Sequence, residues 1–172
     1  QHVALVFWLN RVYLFIHMKK LILGLIFLVS FSAWPSVIVT GKNIMNAETV
    51  SVQAEGKKGM VIVFLSARCP CSNSHIEELK ALFKDFPDFN FIGVHSNADE
   101  TEDVTKAYFT RENLPFAVIQ DKNAALADQY KAFKTPHAFV IQADGKTVYQ
   151  GGVSSSKTFA KADHKFLREA LE

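Results

Sequence analysis

The run of residues 60–65, MVIVFL, constrains the fold most strongly. All six residues are apolar, and three of them, Val61, Ile62 and Val63, are β-branched. A short apolar run of this kind is typical of a strand that is buried on both faces of a sheet. Such strands occur where helices cover both sides of a mainly parallel sheet. We therefore expect a central strand here, in an α/β domain.

Strand and helix patterns alternate after this run. Further strands are predicted at residues 89–94, 116–119, 137–141 and 147–149. Helices are predicted at residues 76–86, 99–112, 123–133 and in a C-terminal segment that carries Phe159, Phe166, Leu167, Ala170 and Leu171. The alternation implies parallel crossovers, and the turn at residues 143–145 adds a terminal antiparallel hairpin. The expected architecture is one mixed sheet flanked by helices.

The first 36 residues have the pattern of a targeting segment. Met18, Lys19 and Lys20 precede an apolar stretch and then small residues, which is typical of a secretory signal. We interpret residues 1–17 as an upstream extension, residues 18–36 as a signal peptide or membrane anchor, and residues 37–172 as the folded domain. The apolar run at residues 21–39 approaches the length of about 20 that spans a membrane, so an uncleaved anchor remains an alternative. Both interpretations predict an exported protein, periplasmic or tethered to the membrane and facing the exterior.

Charge argues against one class of partner. The formal net charge is +2, and Arg11, Lys19 and Lys20 supply it from the targeting segment. The remainder is nearly balanced and contains no basic run, so no nucleic-acid partner is expected.

Both cysteines, Cys69 and Cys71, lie between the central strand and the first predicted helix, in the sequence FLSARCPCSNSH. Export exposes such a pair to oxidising conditions and favours disulfide chemistry. Pro70 suits the first position of a helix, where its missing N–H costs nothing. A helix N-terminus and the charge of Arg68 would both favour a thiolate at Cys69.

The spacing of the two cysteines limits what they can do. A disulfide that closes a single residue removes little chain entropy, so a structural role is disfavoured. Residues two apart in a helix point in different directions, and a bridge requires the pair to lie on the turn before the helix. Such a strained bridge would exchange readily. In the alternative, Cys69 alone forms mixed disulfides and Cys71 is a bystander.

The segment Phe64 to Pro70, followed by a helix and then by Lys134 to Ile141 and Asp144–Gly145, resembles the thioredoxin-like superfamily. It is most similar to the redoxin branch, which includes secreted thiol-disulfide oxidoreductases and peroxiredoxins. The resemblance covers roughly residues 45–171 and implies a thioredoxin-like fold with a redoxin-type strand-helix insertion at 114–133.

The resemblance also implies an activity. Cys69 takes the nucleophile position, and Pro136 is the cis-proline that faces it, with Thr135 shaping a groove for the substrate. His137 would then lie near Cys69, where it would tune the thiolate or accept a proton. The sulfurs carry the electrons, so no cofactor is needed. The implied partners are protein or small thiol and disulfide substrates, together with a reducing or oxidising partner protein.

This chain departs from the family pattern, which is Cys-x-x-Cys. Here Ser72 occupies the usual second-cysteine position, and Cys71 is the possible resolving thiol. A different class of function is a Cu(I)-binding or delivery module that uses Cys69, Cys71 and His75. We favour a packed His75 with satisfied ring nitrogens over a ligand.

Two further functions are weaker. A peroxiredoxin would have a proline where Ile62 stands, although Ser66 fits the hydroxyl three residues before the cysteine. A thioredoxin-like protein that binds partners without turnover is the other. His95, at the end of the second predicted strand, is a plausible polar contributor to the same edge of the sheet, although a solvated side chain is more usual.

Overall fold

A seven-stranded mixed sheet forms the centre of the computed structural model, which describes residues 37–172. The segments 1–17 and 18–36, and the signal or anchor predicted there, lie outside the described residues. The strands, in chain order, are β1 Ile38–Asn43, β2 Thr49–Gln53, β3 Gly59–Phe64, β4 Phe89–His95, β5 Val118–Gln120, β6 His137–Gln142 and β7 Thr147–Gly151. The helices are α1 Pro70–Asn73, α2 Ile76–Asp85, α3 Glu102–Glu112, α4 Ala125–Tyr130 and α5 Phe166–Leu171, with 3-10 turns at Lys122–Ala124 and Phe159–Lys161.

The strand order is β2-β1-β5-β4-β3-β6-β7. The pairs β3–β4 and β4–β5 are parallel, because helices connect these strands, whereas β6 runs antiparallel to β3 and β7 antiparallel to β6. The fold is therefore the expected α/β architecture with a thioredoxin-like mixed sheet.

The central strand is buried throughout, as its composition predicts. Its side chains alternate between two cores, so Val61 and Val63 lie on one face and Ile62 and Phe64 on the other. The first core is covered by α2, α3 and α5, whose contributing residues are Leu79, Phe109 and Leu167 among others. The second is covered by α4 and by residues of β1.

The largest difference from the sequence prediction is the hairpin of β1 and β2. These strands pair antiparallel from Ile38 with Gln53 to Lys42 with Thr49, and β1 also joins β5. Because Val39 is 1% exposed within the sheet, the end of the apolar run at 21–39 belongs to the domain. Residues 38 and 39, at the end of that run, therefore lie in β1. Among residues 37–172, no helix has the length and apolarity needed to cross a membrane.

Helix boundaries also differ. The predicted helix at 123–133 is confined to α4, since Asn123 and Ala124 before it and Lys131 after it have positive φ angles of 58°, 55° and 54°. Phe159 lies in a separate 3-10 turn rather than in α5.

Candidate active site

The cysteine pair lies at the carboxyl end of β3. Cys69 is the residue before α1 and has an extended backbone, with φ −77° and ψ 117°, while Pro70 is the first residue of that helix. Cys71 lies inside the single turn of α1. Both thiols are free and partly exposed. The pair thus straddles the start of the helix, with one sulfur outside it and one inside it.

The loop before β6 faces Cys69. Phe64, the last residue of β3, pairs with His137, the first residue of β6, in the antiparallel register. The two adjoining loops therefore meet at one edge of the sheet. The peptide bond between Thr135 and Pro136 is cis, and the Cys69 thiol donates to the carbonyl oxygen of Thr135 at 3.5 Å.

The pKa values of the two thiols are shifted in opposite directions. Burial opposes ionisation of Cys69, but hydrogen bonds from the backbone of Ser72, from the side chain of Thr135 and from Cys71 outweigh it and lower the pKa of Cys69. Burial raises the pKa of Cys71, and the neighbouring Cys69 sulfur raises it further, while Lys157 opposes the rise. Cys69 is consequently the thiol that ionises first. Arg68, the residue before Cys69, is exposed.

A buried carboxylate holds the loop that leads to Cys69. The Glu100 side chain, 2% exposed, follows β4. It accepts hydrogen bonds from the Ser66 hydroxyl, from the Ala67 N–H at 2.8 Å and from the Asn97 amide at 3.0 Å. The ring nitrogen Nε2 of His95 lies 3.1 Å from the same carboxylate. Although burial opposes ionisation, these donors lower the pKa of Glu100.

Ser66 links this carboxylate to the cysteine. Its hydroxyl donates to Glu100 and accepts from the Cys69 N–H at 3.0 Å and the Arg68 N–H at 3.3 Å. The hydroxyl proton is therefore committed to Glu100. This arrangement makes Ser66 a positioning group for the Cys69 backbone and leaves it unsuited to hydrogen-bond a peroxide.

Ser72 occupies the position of the second cysteine in the family pattern, and its side chain accepts a hydrogen bond from a nearby backbone N–H. It is fully buried, and its hydroxyl oxygen accepts from the Ser66 N–H at 3.1 Å. Together with its N–H, which favours the Cys69 thiolate, this contact fixes α1 against the end of β3.

His75 is 1% exposed, and both ring nitrogens are engaged. Nδ1 lies 2.6 Å from the carbonyl oxygen of Cys71, and Nε2 lies 2.8 Å from the hydroxyl of Ser154. Among residues 37–172, no group of three or more His, Cys, Asp or Glu side chains is arranged to hold a metal ion. The structure therefore places His75 as a packed side chain with both ring nitrogens in hydrogen bonds, to the Cys71 carbonyl oxygen and the Ser154 hydroxyl.

His137 is 2% exposed and lies next to Pro136 in sequence, but its ring packs with aromatic neighbours. The ring centroids of Phe139 and Phe133 lie 4.6 Å and 5.0 Å away. Its Nδ1 has no hydrogen-bond partner among the described residues. Burial, together with the Lys134 charge, lowers the pKa of His137. Because side chains alternate along β6, this ring shares the face of Phe139, opposite to α2.

Glu100 was missed in the sequence, and the burial of His95 was misjudged. Glu100 lies in a polar, acidic segment that indicates a helix start and gives no sign of burial. His95 was expected to be solvated, yet it is fully buried because it pairs with Glu100 and Gln120, whose Oε1 lies 3.1 Å from Nδ1. Contacts between loops distant in sequence create both environments.

The sheet order, the helix that begins after the cysteine-bearing loop, and the facing cis-proline define a thioredoxin-like protein. The family model described as Redoxin matches residues 35–166. This chain therefore belongs to the redoxin family. No curated protein matches the sequence significantly.

Solved structures share the fold at low identity. A hypothetical protein from Sinorhizobium meliloti is 20% identical, with a TM-score of 0.64 and coverage of 74% of each chain. A secreted Mycobacterium tuberculosis disulfide oxidoreductase, described as homologous to Escherichia coli DsbE, is 19% identical, with a TM-score of 0.58 and coverage of 77% of this chain and 93% of that chain. An exposed lipoprotein thioredoxin from Streptococcus pneumoniae is 15% identical, with a TM-score of 0.62 and coverage of 78% and 98%.

Proposed function

We propose that this protein is an exported thiol-disulfide oxidoreductase in which Cys69 is the nucleophile and Cys71 the resolving thiol. The observation that carries the proposal is the position of Cys69, directly before α1 and in contact with the cis-proline loop, with Cys71 two residues away. The lowered pKa of Cys69 and the raised pKa of Cys71 agree with these roles. A thiolate is the attacking species in exchange, and a resolving thiol stays protonated until it is needed.

The reaction is a pair of exchanges. The Cys69 thiolate attacks a substrate disulfide, forms a mixed disulfide and releases one substrate thiolate. Cys71, after losing its proton, attacks the Cys69 sulfur and releases the second substrate thiolate. The substrate gains two electrons and, with two protons, becomes two thiols, while Cys69 and Cys71 become a disulfide. A dithiol partner returns the electrons, and the same steps run in reverse when the protein acts as an oxidant.

Three observations favour this function over the alternatives. The hydroxyl of Ser66 is committed to Glu100, which disfavours a peroxidase. Both ring nitrogens of His75 are engaged, which disfavours a copper site with the two cysteines. Export is supported by the signal-like sequence at 18–36 and by the secreted and surface-exposed proteins that share the fold. The chemistry requires no cofactor beyond the two sulfurs.

The test compares Cys69→Ser with Cys71→Ser, a matched pair of substitutions two residues apart. With a small disulfide and a dithiol reductant, the Cys69→Ser variant should give only the rate measured without protein. Reduced Cys71→Ser, once the reductant has been removed, should release one equivalent of substrate thiol and then stop, and mass spectrometry should find the substrate half attached to Cys69.

Two results would contradict the proposal. Sustained turnover by Cys69→Ser would mean that Cys69 is not the nucleophile, and release of both substrate thiols by Cys71→Ser without a reductant would remove the resolving role. Mass spectra in graded thiol buffers, with and without Cu(I), add a further check. Tight copper binding without formation of an intramolecular disulfide would favour the metal-binding function instead.

A further inference from the structure

A cavity of about 340 Å³ opens beside Cys71. One wall is the loop of residues 134–136, which carries the cis-proline, and the other is the segment of residues 152–157 after β7. The volume lies at the lower end of the range typical of small-molecule sites. The cavity is therefore lined by Cys71 and by Thr135, whose carbonyl oxygen contacts the Cys69 thiol, and it is sized for a small substrate.

The second wall is fixed to the helix that carries Cys71. The Ser154 hydroxyl lies 2.8 Å from Nε2 of His75, and the Ser74 hydroxyl donates to the carbonyl oxygen of Lys157 at 3.0 Å. The Phe159 N–H also donates to the Ser74 oxygen, at 3.3 Å. Because these contacts join the segment to Ser74 and His75, directly after α1, the fold holds this wall close to the helix that carries Cys71.

The lysines that line the cavity give it positive charge on both walls. Each wall contributes one exposed lysine, Lys134 from the first and Lys157 from the second, and the residues that line the cavity include no Asp or Glu. The Lys157 charge opposes the rise in the pKa of Cys71, and both residues line the cavity. Three serines, Ser154 to Ser156, add hydroxyl groups. Such a lining favours anionic, hydrogen-bonding substrates.

We propose that this cavity is a substrate subsite for small thiols and disulfides that carry a carboxylate close to the sulfur. Lys134 and Lys157 bind the carboxylate while Cys69 exchanges with the sulfur. The inference rests on the proposed function and specifies its substrate class. The exchange is the one described above: the disulfide bond of the substrate breaks, two substrate thiols leave, and the pair Cys69–Cys71 is oxidised.

The experiment uses three disulfides of similar size and different charge: 3,3′-dithiodipropionate, bis(2-hydroxyethyl) disulfide and cystamine. Stopped-flow measurement gives the rate of oxidation of the reduced protein by each compound. The quantity compared is the ratio of the rate for the anionic disulfide to the rate for the neutral one. Comparing this ratio between variants removes the intrinsic reactivity of each compound.

The double variant Lys134→Gln/Lys157→Gln should lower this ratio about tenfold, since each exposed pair contributes about a two- to fivefold effect. The ratio for cystamine should rise in the same variant. Lys84→Gln, which removes an exposed lysine from the last turn of α2, is the matched control and should leave both ratios unchanged. For the wild-type protein, raising the ionic strength from about 0.01 M to 1 M should also lower the anionic ratio, because salt screens exposed charges.

Unchanged ratios in the double variant, or a wild-type ratio that does not depend on salt, would overturn the subsite. In that case Cys69-dependent oxidation by bis(2-hydroxyethyl) disulfide would still support the proposed function. If none of the three disulfides oxidises the wild-type protein, the oxidoreductase function itself fails, and the subsite fails with it.

Discussion

Glu100→Gln should weaken the hydrogen bonds that hold Ser66 and Ala67, the residues before the cysteines, while changing the size of the side chain very little. The carboxylate is buried and accepts from four donors: Ser66, Ala67, Asn97 and His95. An amide keeps one acceptor oxygen but presents an NH₂ group to donors that also need acceptors. At least two charge-assisted hydrogen bonds are lost, each worth about 1.5–3 kcal/mol. We expect the free energy of unfolding to fall by about 3–5 kcal/mol, the range for breaking a buried charged pair.

Urea unfolding measures this change, provided that the slope with denaturant stays constant. The rate at which iodoacetamide alkylates Cys69 should fall as well, because Ser66 would no longer be oriented to accept from the Cys69 N–H. Glu77→Gln is the matched control, since that side chain is 83% exposed and pairs only with Lys80. It should change the stability by less than about 0.5 kcal/mol.

The effect should depend on pH in a defined direction. The pKa of Glu100 is lower in the folded protein than in the unfolded chain, where it is about 4.3. Its stabilising contribution is therefore fully present above that value and is lost as the pH falls through the folded pKa. The difference in stability between wild type and Glu100→Gln should be constant from pH 6 to 8 and shrink below about pH 4. A loss under 1 kcal/mol at pH 7, with unchanged alkylation of Cys69, would refute the role assigned to this carboxylate.

Three other outcomes are expected. Alkylation followed by tandem mass spectrometry should give a lower midpoint pH for Cys69 than for Cys71, because the pKa of Cys69 is lowered and that of Cys71 is raised; the reverse order would exclude Cys69 as the first nucleophile. Leu79→Ala should lower the free energy of unfolding by about 2–5 kcal/mol, because Leu79 is fully buried between α2 and the sheet; a loss under 1 kcal/mol would mean that this face is loosely packed. Gly59→Ala should cost about 1–3 kcal/mol in urea unfolding, since its Cβ would overlap the carbonyl oxygen of Ile141; a neutral effect would show that β3 and β6 separate easily.

The sequence predicts the centre of this fold well and its edges poorly. The run at 60–65 has a single physical interpretation, and α2 follows from apolar residues at helical spacing. The hairpin of β1 and β2 was missed because short strands at the edge of a sheet, with Gly41 and alternating exposure, have weak patterns. Tertiary pairing, which no local pattern contains, stabilises them.

The sequence likewise predicts some parts of the candidate site and not others. The cysteine pair is visible in the sequence because two sulfurs beside a strand are rare, and the cis peptide bond before Pro136 was expected from the family pattern. Glu100 and the contact between His75 and Ser154 were not visible, since each joins segments far apart in the chain. Burial of a carboxylate or an imidazole depends on such contacts and has no signature in local composition.

The fastening of the cysteine loop to Glu100 has a consequence for protein engineering. The Ala67 N–H and the carboxylate that accepts from it are separated by 33 positions in the chain. Grafting FLSARCPCSNSH onto another scaffold of the same topology would transfer the two cysteines but not the Glu100 carboxylate that holds their loop. A successful graft would have to carry the segment after β4 as well, so the smallest transferable unit of this chemistry consists of two loops.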